Sequence, residues 1–310
     1  MIHPRTRHSI QLNHLTSIKQ FQNLKHLDQL FALADKLQTL PSTQRPLQGK
    51  TLATIFFEPS TRTRLSFEIA MYKMGGNVLT TENAQASSSS VKGESLADTI
   101  RTIANYADAI VLRHPEKDAA QTAAKISPVP IINAGDGAGE HPTQALLDLY
   151  TLKRRLGPIK NLTIAIIGDL LYSRTAHSLM FLLSLYKNTE VFLVSPKQLK
   201  LPAKYKNNLH IHEVESLREV TTVLDAMYIT RIQKERFKSK QEYKRLNKAY
   251  QLNPKNLECL KKSGVILSPL PRNQEIPPEI DTDPRAAYFE QAQNGVYIRM
   301  ALLHLLLKNR

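Results

Sequence analysis

The stretch Glu58–Glu68 reads EPSTRTRLSFE and sets three hydroxyl side chains and two arginines into the five positions Ser60 to Arg64. The apolar run TLATIFF, residues 51–57, comes directly before it. Leu65, Ile69 and Tyr72 follow at helical spacing on one face, so the pattern predicts a helix starting within STRTR. The first turn of a helix exposes unpaired N–H groups and carries partial positive charge. Most helices answer with acidic residues or a capping box. Here Thr63 stands three positions after Ser60, and Arg64 three after Thr61, so neither device is present. Backbone N–H groups, hydroxyls and a planar guanidinium at the end of a strand suit the oxygens of a phosphate. The alternative is an ordinary hydroxyl cap with solvated arginines, Arg64 balanced by Glu68.

Six further segments carry candidate groups, most of them where strands end. HPTQ begins at His141 after the glycine-rich NAGDGAGE, and Pro142 suits the first helical position, which leaves His141 at the cap. The positive end of a helix favours a neutral imidazole, able to polarise a carbonyl through one N–H. A plain capping histidine is the other reading. VLRHP sets Arg113 at a strand end, free to aim into a cleft or to pair on the surface. ASSSSVKGES is serine-rich and reads as a mobile loop or linker. GDLLYSRTAHS follows LTIAIIG and puts Arg174 near a helix start, but G-x-G-x-x-G is missing, so a dinucleotide site is poorly supported. YITRIQKER ends another strand and offers Arg231, Gln233 and Arg236, while the close prolines of PLPR, Pro269 to Arg272, stiffen the backbone.

These segments need a scaffold that aims strand ends at one place. The chain alternates strands and helices without an internal repeat, which predicts α/β architecture with parallel sheets. Residues 21–38 carry Leu24, Leu27, Phe31, Ala34 and Leu37 at helical spacing. Strands are expected at TLATIFF, NVLT, DAIVLR and PVPIINA, with helices at LADTIRTIANY and TQALLDLYTLKRRL. Gly157-Pro158 ends this half, and LTIAIIGD, EVFLVSP, TVLDAMYIT and GVILSPLP restart the alternation. The expected arrangement is two doubly wound parallel-sheet domains, 1–150 and 151–293, with the active site in the cleft between them. The apolar helix of 294–310 is expected to pack back on the first domain.

With 310 residues, 42% of them hydrophobic, the chain can bury sizeable cores. Its one cysteine, Cys259, allows no internal disulfide and reads as a core residue of a protein in a reducing compartment. No run of 18 apolar residues marks a membrane span. The basic N-terminus lacks a secretory apolar region, but it carries no acidic residue before Asp28, so composition leaves a transit peptide open. A formal charge of +15 favours anionic partners. Nucleic acid is disfavoured because aromatics are only 6%, tryptophan is absent and the lysines are scattered. No cluster at metal-ligand spacing and no paired-carboxylate, Ser/His/Asp or Cys/His arrangement is visible.

FEPSTRTRLSFE resembles the carbamoyl-phosphate motif of the aspartate/ornithine carbamoyltransferase family, and VKGESLADT, VLRHP, HPTQALLDL, GDLLYSRTAHS, YITRIQKER and PLPR resemble its other segments in order. The resemblance covers nearly the whole chain. It implies that Ser60, Thr61, Arg62, Thr63, Arg113, His141 and Gln144 bind carbamoyl phosphate, with the carbonyls of Leu270 and Pro271, across a cis bond, accepting from the reacting nitrogens. The resemblance further implies that Arg62, Thr63, Arg113 and His141 carry the catalysis. L-Aspartate is implied to be held by Arg174, Arg231, Gln233 and Lys92, while Ser88 and Lys92 reach the active site of a neighbouring subunit in a homotrimer. Glu58 and Arg236 resemble interdomain contacts of the closed form. Ornithine-using members resemble D-x-x-x-S-M-G and H-C-L-P, which are absent, so TRIQKER and PLPR point to the aspartate branch. Relatives often have histidine where Ser268 stands, which leaves fine positioning there in question; an inactive relative is the third reading.

The implied reaction converts carbamoyl phosphate and L-aspartate into N-carbamoyl-L-aspartate and phosphate, the second step of pyrimidine synthesis, with no cofactor and no metal. The expected partners are the two substrates and two further copies of the chain, with regulatory chains admitted and neither nucleic acid nor membrane. The expected location is the cytoplasm, or the plastid stroma if the chain is organelle-encoded.

Overall fold

The computed structural model describes residues 10–41, 43–84, 93–233, 237, 239–308 and 310. The chain divides into two compact units. One runs to Thr143 and takes in Gly295–Arg310; the other is Gln144–Asn294. The division falls inside a helix, α5 (Pro142–Leu156), one residue before Gln144.

The first unit is built on β1 (Thr51–Phe56), β2 (Asn77–Glu82), β3 (Ala109–His114) and β4 (Ile131–Asp136). They pair in parallel in the order β2-β1-β3-β4. Strands β1, β3 and β4 are almost wholly buried, as expected of near-continuous apolar runs covered on both faces. Ala53, Ile55, Ile110, Leu112 and Ile131 pack with Ala120 and Ala123 of α4 (Ala119–Ile126). The edge strand β2 is mostly exposed. Helices α1 (Leu24–Gln38), α2 (Thr61–Lys73) and α3 (Leu96–Ala104) complete the layers with α4.

Helix α2 departs from expectation. Leu65, Ile69 and Tyr72 do share a face, but that face is 42–57% exposed. The buried face is Thr63, Ser66, Phe67, Ala70 and Met71. The helix therefore has two apolar sides, one used by its own core and one left in solvent.

The second unit holds β5 (Thr163–Ile167), β6 (Glu190–Val194), β7 (His210–Val214), β8 (Leu224–Ile229) and β9 (Leu260–Leu267), parallel in the order β7-β6-β5-β8-β9. Its α-helices are α5 from Gln144 onward, α6 (Arg174–Leu183), α7 (Lys240–Ala249) and the start of α8 (Tyr288–Leu307). Strand β7, HIHEV, is absent from the sequence reading because an exposed edge strand needs no apolar run. Helix α8 begins at Tyr288, earlier than the apolar stretch from 294 suggests. In the first unit its Arg299 is buried, lying 5.0 Å over the Phe67 ring and donating to Thr143 Oγ1 at 3.3 Å. Cys259 is partly buried against the second core; burial raises its thiol pKa, and Sγ donates to the Asn256 carbonyl.

In each sheet the order in which successive strands are added reverses once. The reversal lies between β1 and β3 in the first and between β5 and β8 in the second. Beyond the strand C-termini at such switch points the connections leave to opposite sides, and a crevice opens for ligand. Among the described residues, no helix is long and apolar enough to cross a membrane.

Candidate active site

STRTR leaves the C-terminal end of β1, and Arg113 stands at the same end of β3, in register with Phe56. The first switch point therefore has the hydroxyl-arginine stretch on one side and Arg113 on the other. Ser60 occupies the N-cap of α2 but makes no side-chain cap bond, and the first turn holds no acidic residue. The helix start keeps its donors open, which is the condition for an anion site.

The two arginines part company. Arg64 turns back along the helix to Glu68 at 3.2 Å and across to Glu82 at 3.0 Å. The Thr54 and Thr80 hydroxyls also gather on Glu68. Arg62 is exposed and has no ion-pair or hydrogen-bond partner among the described residues. Desolvation still lowers its guanidinium pKa, from a value so high that the group stays charged at neutral pH. A partly desolvated cation at the positive end of a helix is unfavourable until an anion arrives.

Thr63 and His141 are both buried and are brought together, with Oγ1 and Nε2 3.4 Å apart. His141 directly precedes Pro142, the first residue of α5. The loop delivering it is tightly specified. Asp136 accepts from the Glu140 and Asp118 N–H groups. Gly137 has φ +44, and a Cβ there would sit 2.2 Å from the Pro115 carbonyl, so only glycine fits against the segment after β3. Arg113 donates to the Ala134 carbonyl at 3.3 Å and pairs with Glu58 at 3.5 Å. Glu58 thus has a partner within the first unit, whereas Arg236 lies outside the described residues. His114 packs edge-on against Phe57, and burial lowers its pKa against the opposing pull of Glu116 and Glu58.

The second switch point carries the other set. Arg174 is the first residue of α6, after β5; Arg231 and Gln233 follow β8; Leu270 and Pro271 follow β9. All but the exposed Pro271 are partly buried. Gly168 turns the chain out of β5 with φ +111; a Cβ would meet the Thr230 carbonyl at 2.2 Å. The Leu270-Pro271 bond is cis. Gln144 is partly exposed, and its Nε2 donates to Asp148 at 2.7 Å. Ser88 and Lys92 lie outside the described residues.

His177, one turn along α6 from Arg174, is buried, stacks on Tyr205 with ring centroids 4.0 Å apart, and donates from Nε2 to the Leu170 carbonyl at 2.9 Å. Its Nδ1 has no hydrogen-bond partner among the described residues. Burial lowers its pKa below 6.5; the Leu170 carbonyl opposes the shift and Lys204 reinforces it. The unfolded chain therefore takes up this proton first as pH falls. The stability linked to neutral His177 is complete above pH 6.5 and is lost as pH falls through the lower folded value. His14, His114 and His304 shift the same way. Thermal scans should show Tm falling between about pH 7 and about pH 5, and His177→Gln, which keeps the donor to Leu170, should flatten the slope. An unchanged slope would remove His177 from the balance.

Asp148 and its partners Gln291 and Tyr228 escaped the sequence reading. The signal was a carboxylate inside the apolar run ALLDLY, where burial requires several donors.

Comparison with known proteins bears on these two sets of residues. Residues 13–154 match the carbamoyl-P binding domain of the aspartate/ornithine carbamoyltransferases, and residues 160–306 match their Asp/Orn binding domain. The aspartate carbamoyltransferase catalytic subunit of Methanocaldococcus jannaschii is 48% identical, over 96% of this chain and 99% of that one. A chloroplastic aspartate carbamoyltransferase of Oryza sativa is 46% identical, over 97% of this chain and 87% of its own. Among solved structures, aspartate transcarbamoylase from Trypanosoma cruzi in complex with N-(phosphonacetyl)-L-aspartic acid superposes with a TM-score of 0.88 at 39% identity, covering 96% of this chain and 97% of that one. Two parallel sheets, each with its basic residues beyond the switch point, and similarity running through both halves have one common explanation: the chain belongs to the aspartate/ornithine carbamoyltransferase family.

Proposed function

We propose that this chain transfers the carbamoyl group of carbamoyl phosphate to the α-amine of L-aspartate, giving N-carbamoyl-L-aspartate and phosphate in the second step of pyrimidine synthesis. The observation that carries this is the uncapped, acid-free start of α2, with Arg62 unpartnered beside it among the described residues. In this reading the first unit binds carbamoyl phosphate through Ser60, Thr61, Arg62, Thr63, Arg113 and His141. The second supplies Gln144 and the carbonyls of Leu270 and Pro271 to the carbamoyl nitrogen, and Arg174, Arg231 and Gln233 to aspartate.

The amine nitrogen forms a bond to the carbamoyl carbon, and the carbon–oxygen bond to phosphate breaks. Negative charge builds on the carbamoyl oxygen, where the paired Thr63 and His141 and the guanidinium of Arg113 stabilise it. The departing phosphate takes up the amine proton, so no dedicated protein base is required. Positioning and fixed charge do most of the work. Two carboxylates on the acceptor need two well-placed cations, the part given to Arg174 and Arg231.

The working form in this reading is a homotrimer in which Ser88 and Lys92 act on a neighbour's site. The exposed apolar face of α2 and Leu79 of the edge strand β2, 46% exposed, support such a contact. Relatives named catalytic subunits support further regulatory chains. The location proposed is the cytoplasm, with the plastid stroma as the alternative that the chloroplastic relatives support.

A ureido-product assay with carbamoyl phosphate tests the acceptor. Product is expected with L-aspartate and none with L-ornithine. Product with ornithine alone would leave the phosphate half intact and overturn the roles of Arg174 and Arg231. No product with either, from folded protein, would sink the proposal and make Ser268→His the next variant.

A further inference from the structure

Asp148 is fully buried in the second unit, one turn after Gln144 on α5. Three side chains converge on it. Gln144 Nε2 donates to Oδ1 at 2.7 Å, Gln291 Nε2 to the same oxygen at 2.6 Å, and the Tyr228 hydroxyl to Oδ2 at 2.8 Å. Two of these contacts lead toward groups with a proposed task. Gln144 is assigned to the carbamoyl group. Gln291 turns its Oε1 to the N–H of Ser268 at 2.9 Å, and Ser268 Oγ accepts from the N–H of Leu270 at 3.3 Å. Leu270 holds φ +52, a left-handed conformation that a branched side chain rarely adopts, so something must fix it. Tyr228 closes the β8 side of the junction through its hydroxyl.

The chemistry of this junction is one-sided. A carboxylate accepts hydrogen bonds and donates none, whereas a glutamine amide has a donor end and an acceptor end. With Nε2 of Gln144 anchored on Asp148, Oε1 is the end left to face a ligand. A carbamoyl nitrogen carries two hydrogens and needs acceptors. The flipped amide would set donor against donor, and a buried polar mismatch costs more than a missing contact.

We infer that Asp148 is a positioning residue: it holds the Gln144 amide with its oxygen toward the carbamoyl nitrogen and, through Gln291 and Ser268, fixes the Leu270 carbonyl that meets the same nitrogen. This rests on the carbamoyl-phosphate reading above. It also gives Ser268 a defined task, since its hydroxyl oxygen is the acceptor that ties Leu270 down.

The test compares carbamoyl phosphate with inorganic phosphate, which lacks the carbamoyl nitrogen. Three variants are made in the full chain. Asp148→Ser is too short to reach Gln144 and leaves room for water at the other donors. Asp148→Leu removes the acceptor at similar volume. Asp148→Asn keeps one acceptor oxygen for the two glutamines. The first two should weaken carbamoyl phosphate by about tenfold or more while inhibition by inorganic phosphate changes by less than about twofold. Asp148→Asn should recover most of the loss. Equal weakening of both ligands, wild-type affinity in a folded Asp148→Ser or Asp148→Leu protein, or failure of both to fold would overturn the inference and leave Asp148 a core support. Gln144→Ala separates the two claims. If it binds carbamoyl phosphate normally, the site reading itself is at fault; if it weakens binding while the Asp148 variants do not, only the inference fails.

Discussion

Arg62→Ala is expected to lower kcat/KM for carbamoyl phosphate by about 10²–10³-fold, the usual loss when one preorganised donor is taken from a developing charge. Inhibition by inorganic phosphate should weaken with it. Thermal stability should hold or rise slightly, which is unusual for the loss of an arginine. Arg62 has no partner to abandon among the described residues, and its charge stands at the positive end of α2, where a cation costs about 0.3–1 kcal/mol. Arg64→Ala makes the contrast. Arg64 is tied to Glu68 and Glu82, and its loss leaves Glu68 largely buried beside two threonines. That variant should lose about 1–3 kcal/mol of stability. Steady-state kinetics and a thermal melt on both proteins are enough. If Arg62→Ala kept wild-type kinetics, the phosphate assignment of STRTR would be wrong. If it lost stability as Arg64→Ala does, Arg62 would be structural after all.

The contrast marks where reading the sequence stops. STRTR supplies two arginines of identical chemistry two positions apart, and only the placement of Glu68 and Glu82 tells them apart. Glu68 was visible four residues along the helix, but Glu82 sits on β2 and is brought close by strand pairing. The same limit governs Arg113. Its position at a strand end is legible, while its pairing with Glu58 depends on the register of β1 against β3. What could be read was whatever repeats locally. The buried strands β1, β3, β5 and β8 declare themselves because both faces are covered, and the basic segments follow them directly. Strand β7 stayed hidden because its outward side chains are polar. Asp148 stayed hidden because its partners Tyr228 and Gln291 are distant in sequence. Leu65, Ile69 and Tyr72 do share one face of α2, but periodicity reports a face and not what covers it.

That uncovered face sets the second large effect. Replacing Leu65 and Ile69 together by lysine is expected to break the proposed homotrimer into single chains and to cut activity by about 10²-fold or more, as loss of a positioned catalytic group does. Leu65 and Ile69 lie one turn apart, with Tyr72 beyond them, and all three are more than 40% exposed in the single chain. Covering the half of each that is still exposed contributes about 0.7–1.5 kcal/mol, whereas a lysine there would carry an unpaired charge into the contact. Their exposure also means that the folded chain loses no core contact, so circular dichroism should be unchanged. Activity should fall because Ser88 and Lys92, in the proposed reading, act on a neighbour's site. Sedimentation velocity and the ureido assay on the same preparation test both halves of the claim. Single chains as active as wild type would overturn the shared site, and an unchanged sedimentation coefficient would show that this face is not the contact. Mixing gives an independent check. Chains carrying Arg62→Ala and chains carrying Lys92→Ala, each nearly inactive alone, should regain activity when co-assembled, since some sites then draw an intact Arg62 from one chain and an intact Lys92 from the next. No recovery from verified mixed assemblies would confine every catalytic group to a single chain.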